Sequence, residues 1–399
     1  MGWALRMLLT ISAVLLPLYF YVGFRTAASI ALLKPAWKPG ARRIVLVVIG
    51  WMYLLPVIFL LLYLFGARGI PFLQTPSVGL LDYLFHYPVW IGMIVIAELL
   101  LPFILFDLIA ATARFFPSKR EKVRKILAIF RCGLLALAVC YVPIRATVDT
   151  THVRDSLHTV TIGELPAELR GLRITLVGDV QVDRYTGQGK VGQVHEIVRK
   201  QAPDLLFSGG DVVTSGKDFL APALRAMCGM RGSIASVAVM GDHDQWSAPE
   251  EIRAAQIECG WIFLDNQHKI LTVRGRSVLV SGLTHVYSDR MDDGELEAFF
   301  EGAPKADLRI LLSHQPAQRM VERAARHGYD LILAGHTHGG QIVLHPLGIP
   351  LTPSMRETSF YTGLFTEGRS TVVVTNGVGL SLAPLRYHAP AEVTTLVLE

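Results

Sequence analysis

At 399 residues, with 51% hydrophobic and 18% charged side chains, the chain is long enough for two domains. Its charge is divided. Residues 1–149 hold 15 Lys and Arg against 5 Asp and Glu, whereas 150–399 hold 23 against 28. The second part is therefore mildly acidic, which excludes the basic stripe of a nucleic-acid-binding domain although the whole chain carries +5.

Four apolar stretches come first, near 7–24, 44–65, 87–110 and 126–142. Each is long enough to cross a hydrocarbon core of ~30 Å as a helix, so residues 1–149 are expected to form an all-α membrane domain in contact with the lipid bilayer. Two connections are strongly basic: one carries Arg25, Lys34, Lys38, Arg42 and Arg43, the other Arg114, Lys119, Arg120, Lys122, Arg124 and Lys125. Ahead of the fourth span the opposite side offers only Arg6 and Arg68. This asymmetry places both basic loops in the cytoplasm and everything after the fourth span outside it. Reading the first stretch as a cleaved signal peptide leaves three spans and the same placement. Within the spans, Glu98, Asp107 and Arg131 are costly residues. Asp107 and Arg131 lie at similar depth on neighbouring helices and predict an ion pair, and Glu98 predicts a helix–helix hydrogen bond ahead of a transport role. Cys228 and Cys259 fall in the outer part, where a disulfide is permitted but not implied.

Residues 150–399 open with a polar connector, "ATVDTTHVRDSLH", and an alternating, strand-like "TVTIGELP". Thereafter short apolar runs alternate with helical patterns at 190–200, 221–227, 249–258 and 317–326. "WIFLDN", "HKILTVRG" and "RSVLVSGL" predict a strand meander, and "STVVVTNG" and "AEVTTLVLE" a closing pair of strands. Five apolar runs end in a polar cluster: Gly178-Asp179, Gly210-Asp211, Gly241-Asp242-His243-Asp244, Ser313-His314 and Gly335-His336-Thr337-His338.

Ligands of α/β folds gather at the carboxyl ends of strands, so these clusters predict one site. Imidazole and carboxylate together suit Zn, Mn or Fe rather than an all-oxygen cage. In extended backbone His336 and His338 point to one face. Three aspartates and three histidines exceed the needs of one ion, so two divalent metal ions sharing a carboxylate are expected, with phosphoester hydrolysis as their chemistry. His195, His268, His327 and His345 read as surface or core residues, and His285 and His388 are weighed for the site without being assigned to it. Arg386 reads either as a phosphate contact or as a surface salt link, and Gln341 as a brace for its loop.

In order and spacing, "GDVQ", "GGDVV", "GDHD", "SHQP" and "GHTHGGQ" resemble the calcineurin-like metallophosphoesterases, most nearly a membrane-associated or exported bacterial subgroup ending in Gly-His-Thr-His-Gly-Gly-Gln. The resemblance covers essentially 158–399 and implies a four-layer α/β/β/α sandwich with metals at the ends of its central sheets. By position it implies that Asp179 and His338 bind one ion, that Asp211 bridges, and that Asp242, His314 and His336 bind the other. It places His243 beside the phosphate and has Asp244 orient that ring. Two positions depart from the family pattern: Gln181 stands where a His is usual, and Asp242 where an Asn is usual. Gln181 would contribute only an amide oxygen. The resulting expectation is a membrane-anchored metallophosphoesterase at the cell (inner) membrane, acting outside the cytoplasm on a phosphorylated envelope substrate, lipid or lipid-linked. The alternatives are a hydrolase of soluble periplasmic phosphodiesters and a tethered binding or sensor module with a degenerate metal site.

Overall fold

The computed structural model describes residues 3–65, 75–284 and 291–399; Arg68 and His285 lie outside the described residues. The chain divides into two compact units. The first comprises residues 1–147 together with the short segments Leu344–Leu351 and Leu382–Leu385. Its helices are α1 (Trp3–Leu33), α2 (Lys38–Leu64), α3 (Tyr87–Thr112) and α4 (Pro117–Thr151). All four are long and apolar enough to cross a membrane. Leu55, Phe59, Trp90, Leu99 and Phe103 are buried between helices, whereas Leu60, Leu61, Leu105 and Leu108 stay exposed. Apolar side chains on both faces of a helix suit a lipid surround. The expected ion pair forms: Arg131 Nη2 lies 2.5 Å from Asp107 Oδ1.

Helix α4 runs on to Thr151 and β1 begins at Arg154, so little of the segment expected to be a polar connector is left as one. No Pro or Gly interrupts "ATVDTT", and its last turn is held by tertiary hydrogen bonds. Asp149 Oδ2 accepts the His388 N–H at 2.7 Å, and Thr150 Oγ1 accepts the Arg386 N–H at 2.8 Å. Such bonds override a weak local preference.

The second unit is α/β. In chain order it contains β1 (Arg154–Val160), β2 (Arg173–Val177), α5 (Gln188–Gln201), β3 (Leu205–Ser208), α6 (Leu220–Cys228), β4 (Ala235–Ala238), α7 (Asp242–Ser247) and α8 (Pro249–Glu258). There follow β5 (Ile262–Phe263), β6 (Gln267–Val273), β7 (Arg276–Leu283), α9 (Asp293–Glu301), β8 (Leu308–Ser313), α10 (Gln318–Arg326) and β9 (Leu331–Ala334). The chain closes with β10 (Gly363–Glu367), β11 (Ser370–Val374) and β12 (Glu392–Leu398). One sheet has the order β1-β12-β2-β3-β4-β5, the other β10-β11-β9-β8-β7-β6.

Strand periodicity builds three apolar seams. Leu205 and Phe207 of β3, Ile310 and Leu312 of β8, and Leu331 and Leu333 of β9 meet between the sheets. The alternate residues face outward: Leu206 packs beneath Val194 of α5 and Met227 of α6, and Leu311 and Ile332 beneath Phe300 of α9 and Met320 of α10. The layers are therefore α/β/β/α, as expected. Two local expectations change. β5 pairs with β4 while β6 and β7 belong to the other sheet, and the closing strands β11 and β12 likewise lie in different sheets. A short apolar run records burial, not which of two facing sheets it joins. Strand β1 covers Arg154–Val160, so the segment after Val160 is a turn rather than strand.

Cys228 at the end of α6 and Cys259 after α8 form a disulfide, with their Cα atoms 5.6 Å apart.

Candidate metal centre

β2, β3 and β4 run parallel in one sheet, and β7, β8, β9 and β11 run parallel in the other. Five of these strands, β2, β3, β4, β8 and β9, deliver their carboxyl ends to the five polar clusters. Backbone conformation there is unusual. Asp179, Gln181, Asp211, His336, His338 and Gln341 all have positive φ, between 42° and 69°. Non-glycine residues in this region are strained and persist where surrounding structure fixes them. Gly377, φ +65°, shows why some neighbours must be glycine: a Cβ there would lie 2.6 Å from Asp179 Cβ.

His336 and His338 are thus not in extended backbone, and they do not share a face. The turn sends them to different partners. His336 Nδ1 stands 3.1 Å from His314 Nε2 and 3.8 Å from Asp242 Oδ1. His338 Nε2 stands 3.9 Å from Asp179 Oδ1, on the other side of the centre.

Asp211 sits in the middle and is 1% exposed. Its Oδ2 is 3.5 Å from His314 Nε2 and 3.2 Å from Gln181 Nε2, and its Oδ1 accepts the His243 N–H at 2.9 Å. His314 Nδ1 lies 2.7 Å from the Gly209 carbonyl oxygen and donates to it, which leaves Nε2 facing Asp211 and Asp242 Oδ1, the latter at 3.2 Å. This is the tautomer a metal-binding imidazole needs.

The expected orientation of His243 by Asp244 is not what the structure shows. Asp244 lies at the third position of α7 and turns back into the helix start, accepting N–H bonds from Asp211 at 2.7 Å, Val212 at 2.8 Å and Gly241 at 3.2 Å. It braces the Asp211 loop. The His243 ring is held through Nδ1 on the Thr214 carbonyl oxygen and lies against Trp246, centroids 5.2 Å apart.

Three sets of side chains present ligand atoms within 4.8 Å of one another: Asp242–His314–His336, Asp179–Asp211–His314 and Asp211–Asp242–His243. His338 stands outside these sets, with Asp179 Oδ1 3.9 Å from its Nε2 and Arg386 Nη2 3.2 Å from its Nδ1.

The electrostatics call for added positive charge. Burial pushes Asp179, Asp211 and Asp244 up, and Asp211 furthest, because Asp242, Asp244 and Asp179 add their repulsion. Burial opposes charge on the imidazoles too, yet Asp211 and Asp242 hold His314 well above its ordinary value. Asp242 and Glu357 likewise bring His336 to about 9. Protons on these rings offset the crowded carboxylates, a task a divalent cation performs with more charge. His338 behaves oppositely: burial, then the neighbouring Arg386 charge, push it well below its ordinary value, which keeps it a neutral donor. Gln181 is fully buried, and its Oε1 has no hydrogen-bond partner among the described residues. A buried amide oxygen without a partner, on a side chain whose Nε2 lies 3.2 Å from Asp211 Oδ2, fits a cation ligand. The donor set of carboxylate, imidazole and one amide oxygen therefore fits divalent ions.

Arg386 is neither a phosphate contact nor a surface link. It is fully buried and donates from Nε to Gly379 O at 3.0 Å, from Nη1 to His338 O and Ala389 O at 3.0 Å, and from Nη2 to Asn376 O at 2.8 Å. It fastens the His338 loop to the C-terminal segment. Gln341 braces its loop as expected, accepting the Ser381 N–H at 2.8 Å. His268 bonds Ser281 and Phe299, His195 bonds Ala226, and His388 stacks on Tyr387, all in structural roles. Sequence reasoning missed Glu357, whose Oε2 lies 3.4 Å from His336 Nε2, and Thr214; neither sits in a motif that could have marked it.

The profile of the calcineurin-like phosphoesterases matches residues 172–340. The chain is 27% identical over 253 residues to the transmembrane protein with metallophosphoesterase domain of Danio rerio, covering 60% of this chain and 56% of that one. It is 28% identical over 238 residues to the phosphodiesterase YaeI of Escherichia coli, covering 57% and 82%. To the metallophosphoesterase YkuE of Bacillus subtilis it is 22% identical over 290 residues, covering 71% and 98%. The chain thus spans little more than half the length of the first of these relatives. Its centre of Asp179, Asp211, Asp242, His314, His336 and His338 falls almost wholly at strand ends within the matched segment, and the chain carries a calcineurin-like metallophosphoesterase domain behind a helical region of four apolar candidate spans.

Proposed function

We propose that the protein is a membrane-anchored phosphohydrolase that cleaves phosphoester or pyrophosphate bonds of a lipid or lipid-linked substrate of the cell envelope. The observation that carries the hydrolytic reading is the convergence of Asp179, Asp211, Asp242, His243, His314 and His336 in three overlapping sets of ligand atoms. Asp179, Gln181 and His338 would hold one divalent ion, Asp242, His314 and His336 a second, with Asp211 shared. Bound ions of this kind supply Lewis-acid polarisation of the phosphate and a nucleophile at neutral pH. His243, fixed through Nδ1 on Thr214, leaves Nε2 to protonate the leaving oxygen. Asp244 holds the Asp211 loop in register for both tasks.

One observation supports action outside the cytoplasm. The Cys228–Cys259 disulfide suits an oxidising compartment, in agreement with the basic loops lying on the cytoplasmic side.

The test is hydrolysis by the full chain in nanodiscs, supplied with Mn, Zn or Fe. The substrates are a phospholipid, a lipid-linked pyrophosphate and a soluble phosphodiester. Faster turnover of the membrane-borne substrates supports the reading. Preference for the soluble one favours the periplasmic alternative, and metal binding without turnover of any favours a binding module.

A further inference from the structure

The first unit carries a second charged site, remote in sequence from the metal centre. A cavity of about 260 Å³ opens where α1, α3 and α4 meet their basic connections. Arg25, Arg114, Arg120, Arg124 and Arg131 line it, with Asp107 as the lone carboxylate. The helical repeat dictates this: Arg120, Arg124, Leu127, Ala128 and Arg131 follow one face of α4. Asp107 is already engaged, accepting from Tyr21 Oη at 2.8 Å, Arg25 Nη2 at 2.7 Å and Arg131 Nη2 at 2.5 Å. Five guanidiniums against one carboxylate leave an excess of four positive charges.

Among the described residues, no carboxylate pairs with Arg114, Arg120 or Arg124. Arg131 is only 9% exposed, and its Nε–H has no acceptor among the described residues. A buried charged donor left unpaired is costly, and a bound anion removes that cost. Guanidiniums suit phosphate in particular, since their forked donors match its oxygens in pairs.

The surroundings are apolar. Leu101, Ile104, Leu105 and Leu108 are exposed along α3, and Phe115 and Phe116 in the connection after it are 83% and 61% exposed. A cationic hollow lined in part by Leu32, Ala110, Leu127 and Ala128, at the basic end of apolar helices, matches an amphiphile with a phosphate head. The volume also exceeds the roughly 30 Å³ of a water molecule several-fold, room for a headgroup rather than a bare ion.

We propose that this cavity binds the phosphate of an anionic membrane lipid in the leaflet bordered by the basic connections. The site is independent of the hydrolytic reading and takes its ligand without cleaving it.

The test uses the full chain in detergent, with retention measured by native mass spectrometry and binding by thermal shift. The probes are a short-chain phosphatidic acid, the matching phosphatidylcholine, and inorganic phosphate. Saturable binding of the phosphatidic acid is expected, weaker for phosphatidylcholine. The Arg120→Gln/Arg124→Gln variant should lose affinity at least about tenfold. Neither side chain has an ion-pair partner to lose, and unchanged helical circular dichroism checks that the helices persist. Arg42→Gln/Arg43→Gln, outside the cavity, should bind as the parent does. Equal losses in both double variants would overturn the site in favour of general surface charge. Undiminished binding in Arg120→Gln/Arg124→Gln would overturn it outright, and inorganic phosphate binding as tightly as the lipid would overturn the lipid assignment.

Discussion

Both carboxylate oxygens of Asp179 lie 3.0 Å from the backbone nitrogen of His336, 157 residues further along the chain. One side chain from the end of β2 thus fixes the turn after β9, so the two sheets hold one another's ligands in place. The strain of six positive-φ residues is sustained by contacts of this kind. Altering one motif is therefore expected to disturb another.

Asp211 tests the sharing of the centre. Its Oδ2 faces His314 and its Oδ1 caps the His243 N–H, so Asp211→Asn keeps the shape and removes charge. Hydrolysis should fall by about 10²–10³-fold or more, with bound metal reduced and circular dichroism unchanged. Retained metal stoichiometry in this variant would show that Asp211 is not a shared ligand.

Gln181 tests the weaker of the two proposed ion sites. Gln181→Leu replaces the unsatisfied Oε1 with an apolar group of similar size, so the fold should survive. Metal content, measured by plasma mass spectrometry, should drop from two ions per chain toward one. Gln181→His should restore or tighten the second ion, because imidazole is the better donor. No change in either variant would place the amide outside the coordination shell.

Proton competition follows from the imidazoles. His336 is raised to about 9 in the metal-free protein, so it is protonated at neutral pH and must lose that proton to bind a cation. Metal affinity should therefore rise with pH until about 9 and then level off. Calorimetry in buffers of different ionisation enthalpy should record protons released on loading. An affinity independent of pH between 6 and 9, on the scale of His336 titration, would contradict this.

Arg386 is predicted to matter for stability more than for chemistry. Arg386→Ala leaves the carbonyls of His338, Asn376, Gly379 and Ala389 without their donor. The expected loss is about 3–5 kcal/mol, read as a lowered Tm, and Lys should not rescue it because it lacks the planar fork. A Tm within a degree or so of the parent, on the scale where about 1 kcal/mol moves it by several degrees, would show the network to be dispensable.

The disulfide gives a separate handle on compartment. Cys228 and Cys259 are 31 residues apart, so loop closure should contribute about 3–4 kcal/mol. Reduction or Cys228→Ser should lower Tm accordingly. Thiol labelling of intact cells should find the pair oxidised if the domain faces outside; free, reactive thiols at both positions would place it in the cytoplasm.

Much of this molecule is legible in its sequence because local periodicity and burial coincide. The apolar helices, the outward and inward residues of β3, β8 and β9, and the polar clusters at strand ends all follow from repeats of 3.6 and 2. The Asp107–Arg131 pair followed from depth alone. What was not legible depended on the partner of each segment. The sheet that β5 joins is set by tertiary packing, as is the helical end of α4. The opposed directions of His336 and His338 arise from left-handed backbone that an extended reading cannot anticipate. Asp244 followed the family pattern in position, yet its carboxylate serves the neighbouring backbone, and Arg386 was masked by the ordinary exposure of arginine.

The most direct test is metal-dependent turnover of the full chain in nanodiscs, after stripping with chelator and reloading with Mn or Zn, alongside Asp211→Asn. The account predicts that hydrolysis of a phosphoester vanishes on stripping, returns with the ion, and stays lower by about 10²–10³-fold or more in the variant at any metal concentration. Equal turnover by stripped and reloaded protein, or by Asp211→Asn and its parent, would contradict it.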